Sequence, residues 1–234
     1  MIRMFFITLI ATGFLSPTNE ETKTYSVNKI HGEEIIITGK GDSPLWKKAT
    51  ELSDFIYPWE NEKAPFTSFK ALHSKDWLYC LFKVKDEKIN VYVNSNEKSE
   101  TLYSDRVEIF FRKDIKMLPY YGLELDAKGR IYDYEAKYPW KINAAWSWPT
   151  GQLIVKANQT KDGYTVEVAI RKESLIQLGL LKENSLEAGL FRGESPELKG
   201  EDASNIKWIS WVRPDSKTPD FHTPSSFGVL LLKD

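Results

Sequence analysis

Apolar and polar residues alternate with a period of two along much of the chain, which is typical of half-buried β-strands. The clearest example is three short apolar runs in the middle of the chain, Val107–Phe111, Tyr120–Leu125 and Ile131–Tyr134. Between the last two lies Asp126–Gly129, whose composition is that of a hairpin turn and whose glycine can adopt a positive φ. The pattern therefore predicts a central β-meander.

Strand-like segments also flank this meander, and one helix is expected at Lys172–Gly179, with a helical turn at Leu45–Ala49 that buries Trp46. About a dozen short strands separated by turns predict an all-β fold, a two-sheet antiparallel β-sandwich of jelly-roll or immunoglobulin-like type. The segments outside the meander are Tyr25–Thr38, Phe55–Trp59, Thr67–Leu72, Asp76–Val84, Val91–Val93, Gln152–Ala157, Gly163–Ile170, Leu186–Arg192, Lys207–Val212 and Phe227–Leu232.

The amino terminus has a different character. Arg3 precedes the apolar run Phe5–Leu15, which is too short to span a bilayer and is followed by small and then polar residues. This arrangement predicts a signal peptide over residues 1–20, removed on export, and a single mature domain over residues 21–234. No later run is long enough to span a membrane, so we expect a secreted, periplasmic or cell-surface protein.

Composition excludes several classes of function. A net charge of −1 gives no electrostatic argument for binding nucleic acid or an anionic membrane. The single cysteine, Cys80, rules out an internal disulfide and a thiolate metal cluster, and its apolar surroundings predict a buried free thiol. The three histidines lie far apart in sequence and match no zinc-protease helix.

Charged residues on the meander strands, Glu108, Glu124 and Arg130, are costly if buried without partners, so they either face water or line a polar site. Paired carboxylates would suit a glycosidase, but nothing in the sequence fixes a pair at the required separation. The 8 Trp, 11 Tyr and 12 Phe exceed what a core needs. Rings beside a few fixed polar groups are typical of a small-ligand site, here one for sugars.

Six motifs in order resemble family 9 carbohydrate-binding modules over most of the chain from about Ile35 onward. They are Trp77–Asp86, Ser104–Phe111, Tyr120-Tyr121 followed by Gly129–Ile131, Asp162–Ile170, Ile209–Trp211 and Phe221–Leu231. The resemblance implies a β-sandwich that binds glycans without cleaving them, within a glycan-utilisation system.

The resemblance also implies site residues. Glu108 and, with a one-residue offset, Arg130 match the family's sugar-binding glutamate and arginine, and His222 would be a nearby polar contact. Leu102 and Phe221 stand where the best-known members have two stacking tryptophans. Either other rings provide a replacement platform or the ligand has changed; the candidate rings are Trp140, Trp146, Trp148 and Tyr103.

Structural calcium is a further implication of the resemblance, and Asp86, Asp105 and Asp126 are the oxygen donors at loop ends that could bind it, although solvated turn aspartates are the simpler interpretation. Two alternatives remain open. One is a glycoside hydrolase-associated domain, active only beside a separate catalytic partner. The other is a haem-binding sandwich, for which Met117 and His73 would make a poor pair of axial ligands.

Overall fold

The computed structural model describes residues 22–139 and 141–234. The predicted signal peptide lies outside the described residues, as does Trp140. Within them there is one α-helix, α1 (Lys172–Gln177), and three 3-10 helices, at Pro44–Lys48, Lys98–Tyr103 and Pro224–Ser226. The strands are β1 (Thr24–Lys29), β2 (Thr67–His73), β3 (Trp77–Lys85), β4 (Arg106–Arg112), β5 (Tyr120–Asp126), β6 (Ile131–Lys137), β7 (Lys141–Asn143), β8 (Leu153–Thr160), β9 (Gly163–Arg171), β10 (Leu181–Lys182), β11 (Ser185–Glu194), β12 (Lys207–Ser210) and β13 (Gly228–Leu232).

The strands form one continuous hydrogen-bonded path, in the order β7-β6-β5-β4-β11-β13-β1-β2-β3-β9-β8, with β10 and β12 paired to β11. Strand β1 joins the two halves of this path, because its first four residues pair with β13 and its last two pair with β2, both in parallel. The prediction of an all-β protein is confirmed. The predicted antiparallel pairing is corrected at β1, whose two pairings are parallel and connect the strands into one path.

Successive side chains along each strand point to opposite faces of the sheet. One face of the strands before β1 in this order and one face of the strands after it pack together in a shared core. Ile109 and Leu123 of β4 and β5 belong to the same buried cluster as Phe82 and Val168 of β3 and β9. Burying such side chains stabilises the fold by roughly 1.5–3 kcal/mol each. Cys80 lies in this cluster as a buried free thiol, as predicted.

Two predicted strands do not form. Phe55–Trp59 makes only one bridge, Ile56 to Ser210, and it contains Pro58, which has no N–H to donate to a ladder. At Val91–Val93 the backbone of Tyr92 bonds to side chains instead, since its N–H donates to Ser104 Oγ and its carbonyl accepts from Arg130 Nη2. Side-chain partners replace the strand partner at this segment.

The opposite face of β4, β5 and β11 is where polar groups and rings collect. The Lys98–Tyr103 helix and the 207–223 region, which begins with β12, lie beside this face. Its aromatic side chains form another buried cluster that includes Phe110, Tyr134 and Phe191. No helix in the described part of the chain is long and apolar enough to cross a membrane.

Candidate functional site

A cavity of about 140 Å³ opens on this outer face of the meander. We call it the Arg106 cavity. It combines three buried charged side chains from the strands with rings and polar groups from the 207–223 region. Its lining residues are Arg106, Glu108, Glu124, Trp208, Pro219, Asp220, Phe221 and His222.

The floor of the cavity is an ion cluster on neighbouring strands. Glu108 of β4 lies opposite Glu124 of β5, and Arg106 is two residues before Glu108, so alternation places all three side chains on one face. Arg106 Nε donates to Glu108 Oε1 at 2.9 Å and to Glu124 Oε2 at 2.7 Å. Its Nη1 donates to the carbonyl of Leu102 at 2.9 Å. A buried guanidinium therefore fixes both carboxylates.

Burial sets the charge state of this cluster. Loss of hydration and, second, the neighbouring Glu124 raise the pKa of Glu108 to about 8, against the opposing effect of Arg106. The pKa of Glu124 is also raised, chiefly by burial. Because two carboxylates next to each other resist ionising together, the pair retains a proton at neutral pH. One guanidinium then balances the one remaining negative charge.

Two rings form the wall that faces this floor. Phe221 stacks on Phe191, with ring centroids 4.1 Å apart and planes 16° from parallel, and so is held in place from behind. Trp208 meets Phe221 edge-on at 5.6 Å, and the guanidinium of Arg106 lies over its ring at 5.0 Å. Aromatic wall and charged floor thus meet at Arg106.

His222 lines the cavity as a neutral group. Its Nδ1 is hydrogen-bonded to the Tyr120 hydroxyl at 2.7 Å, and its ring lies 5.1 Å from that of Phe110. Burial lowers the pKa of His222 to about 4, with a smaller contribution from the positive charge of Arg106. At neutral pH the imidazole is a polar contact without charge.

Glycines in the strands make room for these groups. A Cβ at Gly122 would lie 2.2 Å from Cζ of Tyr134, whose ring covers that residue. At Gly193 of β11 a Cβ would lie 3.0 Å from Nη1 of Arg106. Glycine in a strand interior weakens the strand, and here it permits the close approach of a ring and a guanidinium.

The structure places Arg130 in the turn between β5 and β6, outside the Arg106 cavity. It donates to Asp126 Oδ2 at 2.7 Å, to Glu100 Oε2 at 2.8 Å and to the carbonyl of Tyr92 at 2.6 Å. These contacts fasten the β5–β6 turn to the 92–104 segment. Among the residues that line the cavity, the guanidinium belongs to Arg106.

Trp146 and Trp148 lie on the opposite, core-facing side of the meander from Glu108. Trp148 is buried and donates from Nε1 to Ser174 Oγ at 3.0 Å, and Trp146 packs 5.0 Å from the ring of Tyr121. The expectation that they provide a stacking platform beside Glu108 is therefore corrected, because the sheet itself separates them from the cavity.

The remaining predicted residues lie at or beside the cavity. Phe221 and His222 line it, and Leu102 packs against the neighbouring aromatic cluster. The sequence reasoning missed Trp208 and Asp220, and it did not consider Arg106. The signal for Arg106 was present, since residues i and i+2 of a strand share a face and Arg106 stands two residues before Glu108.

The aspartates proposed as calcium ligands already have N–H partners. Asp105 accepts from the backbone of Asn90 at 2.6 Å and of Ser195 at 2.7 Å. Asp126 accepts from Arg130, and Asp86 accepts from Arg192 Nη2 at 2.8 Å. Within residues 22–139 and 141–234 no three His, Cys, Asp or Glu side chains are grouped as metal ligands. The carboxylate oxygens of these three aspartates are thus engaged by N–H donors.

The histidine considered as a haem ligand is also engaged elsewhere. His73 Nε2 is hydrogen-bonded to the carbonyl of Lys233 at 2.7 Å and Nδ1 to Lys172 Nζ at 2.8 Å. Met117 is buried in the aromatic cluster behind the Arg106 cavity, whereas His73 is on β2. The two side chains do not form an axial pair.

The fold and this cavity define a class: an all-β protein with a ligand-sized site on the outer face of its sheet. The chain belongs to the family described as carbohydrate family 9 binding domain-like, whose model matches residues 37–234. The resemblance found in the sequence is thereby confirmed. A comparison with curated proteins found no match.

Solved structures share the fold at low identity. A protein of Bacteroides uniformis ATCC 8492 to which carbohydrate binding is ascribed is 18% identical, with a TM-score of 0.69 over 91% of this chain and 100% of that one. A family 9 carbohydrate-binding module of Caldicellulosiruptor kristjanssonii in complex with glucose is 18% identical, with a TM-score of 0.58. The match covers 90% of this chain and 96% of that one. A family 9 module of the same organism in complex with cellotriose is 19% identical, with a TM-score of 0.57, and the match covers 90% of this chain and 94% of that one.

Proposed function

We propose that this chain is an exported, non-catalytic carbohydrate-binding protein that holds one sugar residue of a glycan in the Arg106 cavity. The observation that carries the proposal is the pairing of fixed carboxylates with a ring wall in one cavity. The hydroxyls of a sugar would donate to Glu108 and Glu124 while its apolar C–H face packs on Phe221 and Trp208. Such a combination suits a small-ligand site.

The arrangement of the carboxylates supports binding rather than hydrolysis. In glycosidases two carboxyl groups flank the scissile bond from either side. Here Glu108 and Glu124 lie side by side on neighbouring strands and share one guanidinium nitrogen. A role in a glycan-utilisation system, next to a separate glycoside hydrolase, belongs to the same proposal and rests on family membership together with the predicted signal peptide.

Affinity electrophoresis on xylan, β-glucan and mannan, followed by calorimetric titration with cellotriose, tests the proposal. We expect retardation on at least one polymer and its loss in Glu108→Ala, which removes the carboxyl group that would hold a sugar hydroxyl. Asp162→Asn, an exposed turn residue, serves as the control. Absence of retardation on every polymer, or sugar release that depends on Glu108, would overturn it.

A further inference from the structure

The charges that line the Arg106 cavity do not cancel. Arg106 bonds to Glu108 and Glu124, which retain one proton between them, so this cluster is close to neutral. Asp220 is a third carboxylate on the cavity wall and is half-buried. In the described part of the chain its side chain accepts one hydrogen bond, from the backbone N–H of His222 at 2.8 Å, and has no ion pair. One negative charge therefore remains unbalanced.

The neighbouring imidazole does not supply the missing positive charge. His222 is buried, its pKa is lowered to about 4, and its Nδ1 is engaged with the Tyr120 hydroxyl. Partial burial also raises the pKa of Asp220, and the hydrogen bond from the backbone N–H of His222 opposes this shift. A cation brought by the ligand would meet a carboxylate that has no cationic partner in the described part of the chain.

The aromatic wall favours the same kind of ligand. Ring faces attract cations, and Trp208 already carries the guanidinium of Arg106 over its face at 5.0 Å. Phe221 lies beside Asp220 in sequence and lines the same cavity. A carboxylate beside ring faces is a suitable environment for an ammonium group, whereas a ligand carboxylate would be repelled by Asp220.

We propose that the Arg106 cavity binds a sugar that carries a protonated amino group, which pairs with Asp220, and that it discriminates against uronic acids. This inference rests on the proposed function, since it names the class of sugar for the same site. The polymers with this chemistry are glycans that contain deacetylated amino sugars.

Calorimetric titration at about pH 6, where an amine of ordinary pKa is protonated, tests the inference with four monosaccharides: glucose, glucosamine, 6-amino-6-deoxyglucose and glucuronic acid. We expect at least one amino sugar to bind about 10-fold more tightly than glucose, and glucuronic acid to bind more weakly than glucose. The preference should shrink as salt concentration rises.

Two variants complete the experiment. In Asp220→Asn the ratio of amino-sugar to glucose affinity should fall to about one, because the charge is removed and the shape is kept. In the control Asp162→Asn the ratio should be that of the wild type.

The outcomes separate the two proposals. If glucose binds and neither amino sugar binds more tightly, or if Asp220→Asn keeps the preference, the inference is overturned and the proposed function stands. If none of the four sugars binds and no polymer retards the protein, both are overturned.

Discussion

Glu108 and Glu124 lie directly opposite each other on β4 and β5 and accept hydrogen bonds from the same nitrogen atom, at 2.9 and 2.7 Å. Like charges directly opposite each other on a sheet normally destabilise it. Here Arg106 lies between them, so each carboxylate depends on the guanidinium and on the protonation of its neighbour. This dependence gives the first two predictions.

Stability should depend on pH through Glu108. Its pKa is about 8 in the folded protein and near the usual glutamate value in the unfolded chain. At pH values between these two, the folded state therefore binds more protons than the unfolded state. The stabilising contribution of Glu108 to the free energy of unfolding is therefore fully present below the usual glutamate pKa and is lost as the pH rises through about 8. Relative to the wild type, Glu108→Gln should gain on the order of a few kcal/mol between pH 4 and pH 9. Urea unfolding of both proteins at several pH values measures this difference. If the stability of the wild type and of Glu108→Gln changed equally with pH, the prediction would be contradicted.

Removal of the guanidinium should leave two buried carboxylates without a counter-charge. We expect Arg106→Met to destabilise the fold by about 3–5 kcal/mol. Adding Glu108→Gln and Glu124→Gln to that variant should restore much of the loss, since neutral side chains need no guanidinium. Thermal unfolding of the single and triple variants is the measurement. Equal stability of the two would mean that Arg106 acts through packing alone.

Trp208 and Trp148 provide a matched pair of tryptophan variants. Trp208 lines the cavity and is half-buried, so Trp208→Ala should weaken sugar binding by about 10-fold and change stability little. Trp148 is buried on the other side of the sheet, so Trp148→Phe should lower the thermal midpoint and leave affinity unchanged at a temperature where the protein is folded. The reverse pattern would place the sugar on the core-facing side of the meander.

Chelators should not destabilise the protein. The oxygens of Asp105 accept from two backbone N–H groups, and those of Asp86 and Asp126 accept from arginines, so N–H donors occupy the sites where a cation would bind. We expect equal thermal midpoints in EDTA and in millimolar calcium. A midpoint that rises with calcium concentration would reveal a bound ion, because ligands of the folded state stabilise it by mass action.

The sequence predicted the strands best where alternation is strong and local. The meander and its turn at Asp126–Gly129 form as expected, with Gly129 at φ +82°. The partners of β1 could not be predicted, because pairing of Thr24–Lys29 with both β13 and β2 depends on contacts distant in sequence. The alternation of apolar and polar residues predicts that a segment is a strand, but it does not show which strands pair with it.

The site shows the same difference between what a local sequence pattern predicts and what depends on contacts distant in sequence. Glu108 could be singled out because a carboxylate on an apolar strand needs a partner, but the choice between Arg106 and Arg130 required the register of three strands. Arg106 follows the strand alternation that includes Glu108, whereas Arg130 lies in the turn before β6. Arg130 is bound there by Asp126 of the turn and by Glu100 of the Lys98–Tyr103 helix, a contact between segments distant in sequence.

The floor of the cavity belongs to the middle of the sheet, whereas its wall comes from the 207–223 region, which includes Asp220 and Phe221. Asp220 and Phe221 lie outside the strands, so their side chains can be varied while the sequences of β4 and β5 stay unchanged. A library that varies only those positions would keep the Arg106 anchor constant and allow reagents for different glycans to be selected from one scaffold.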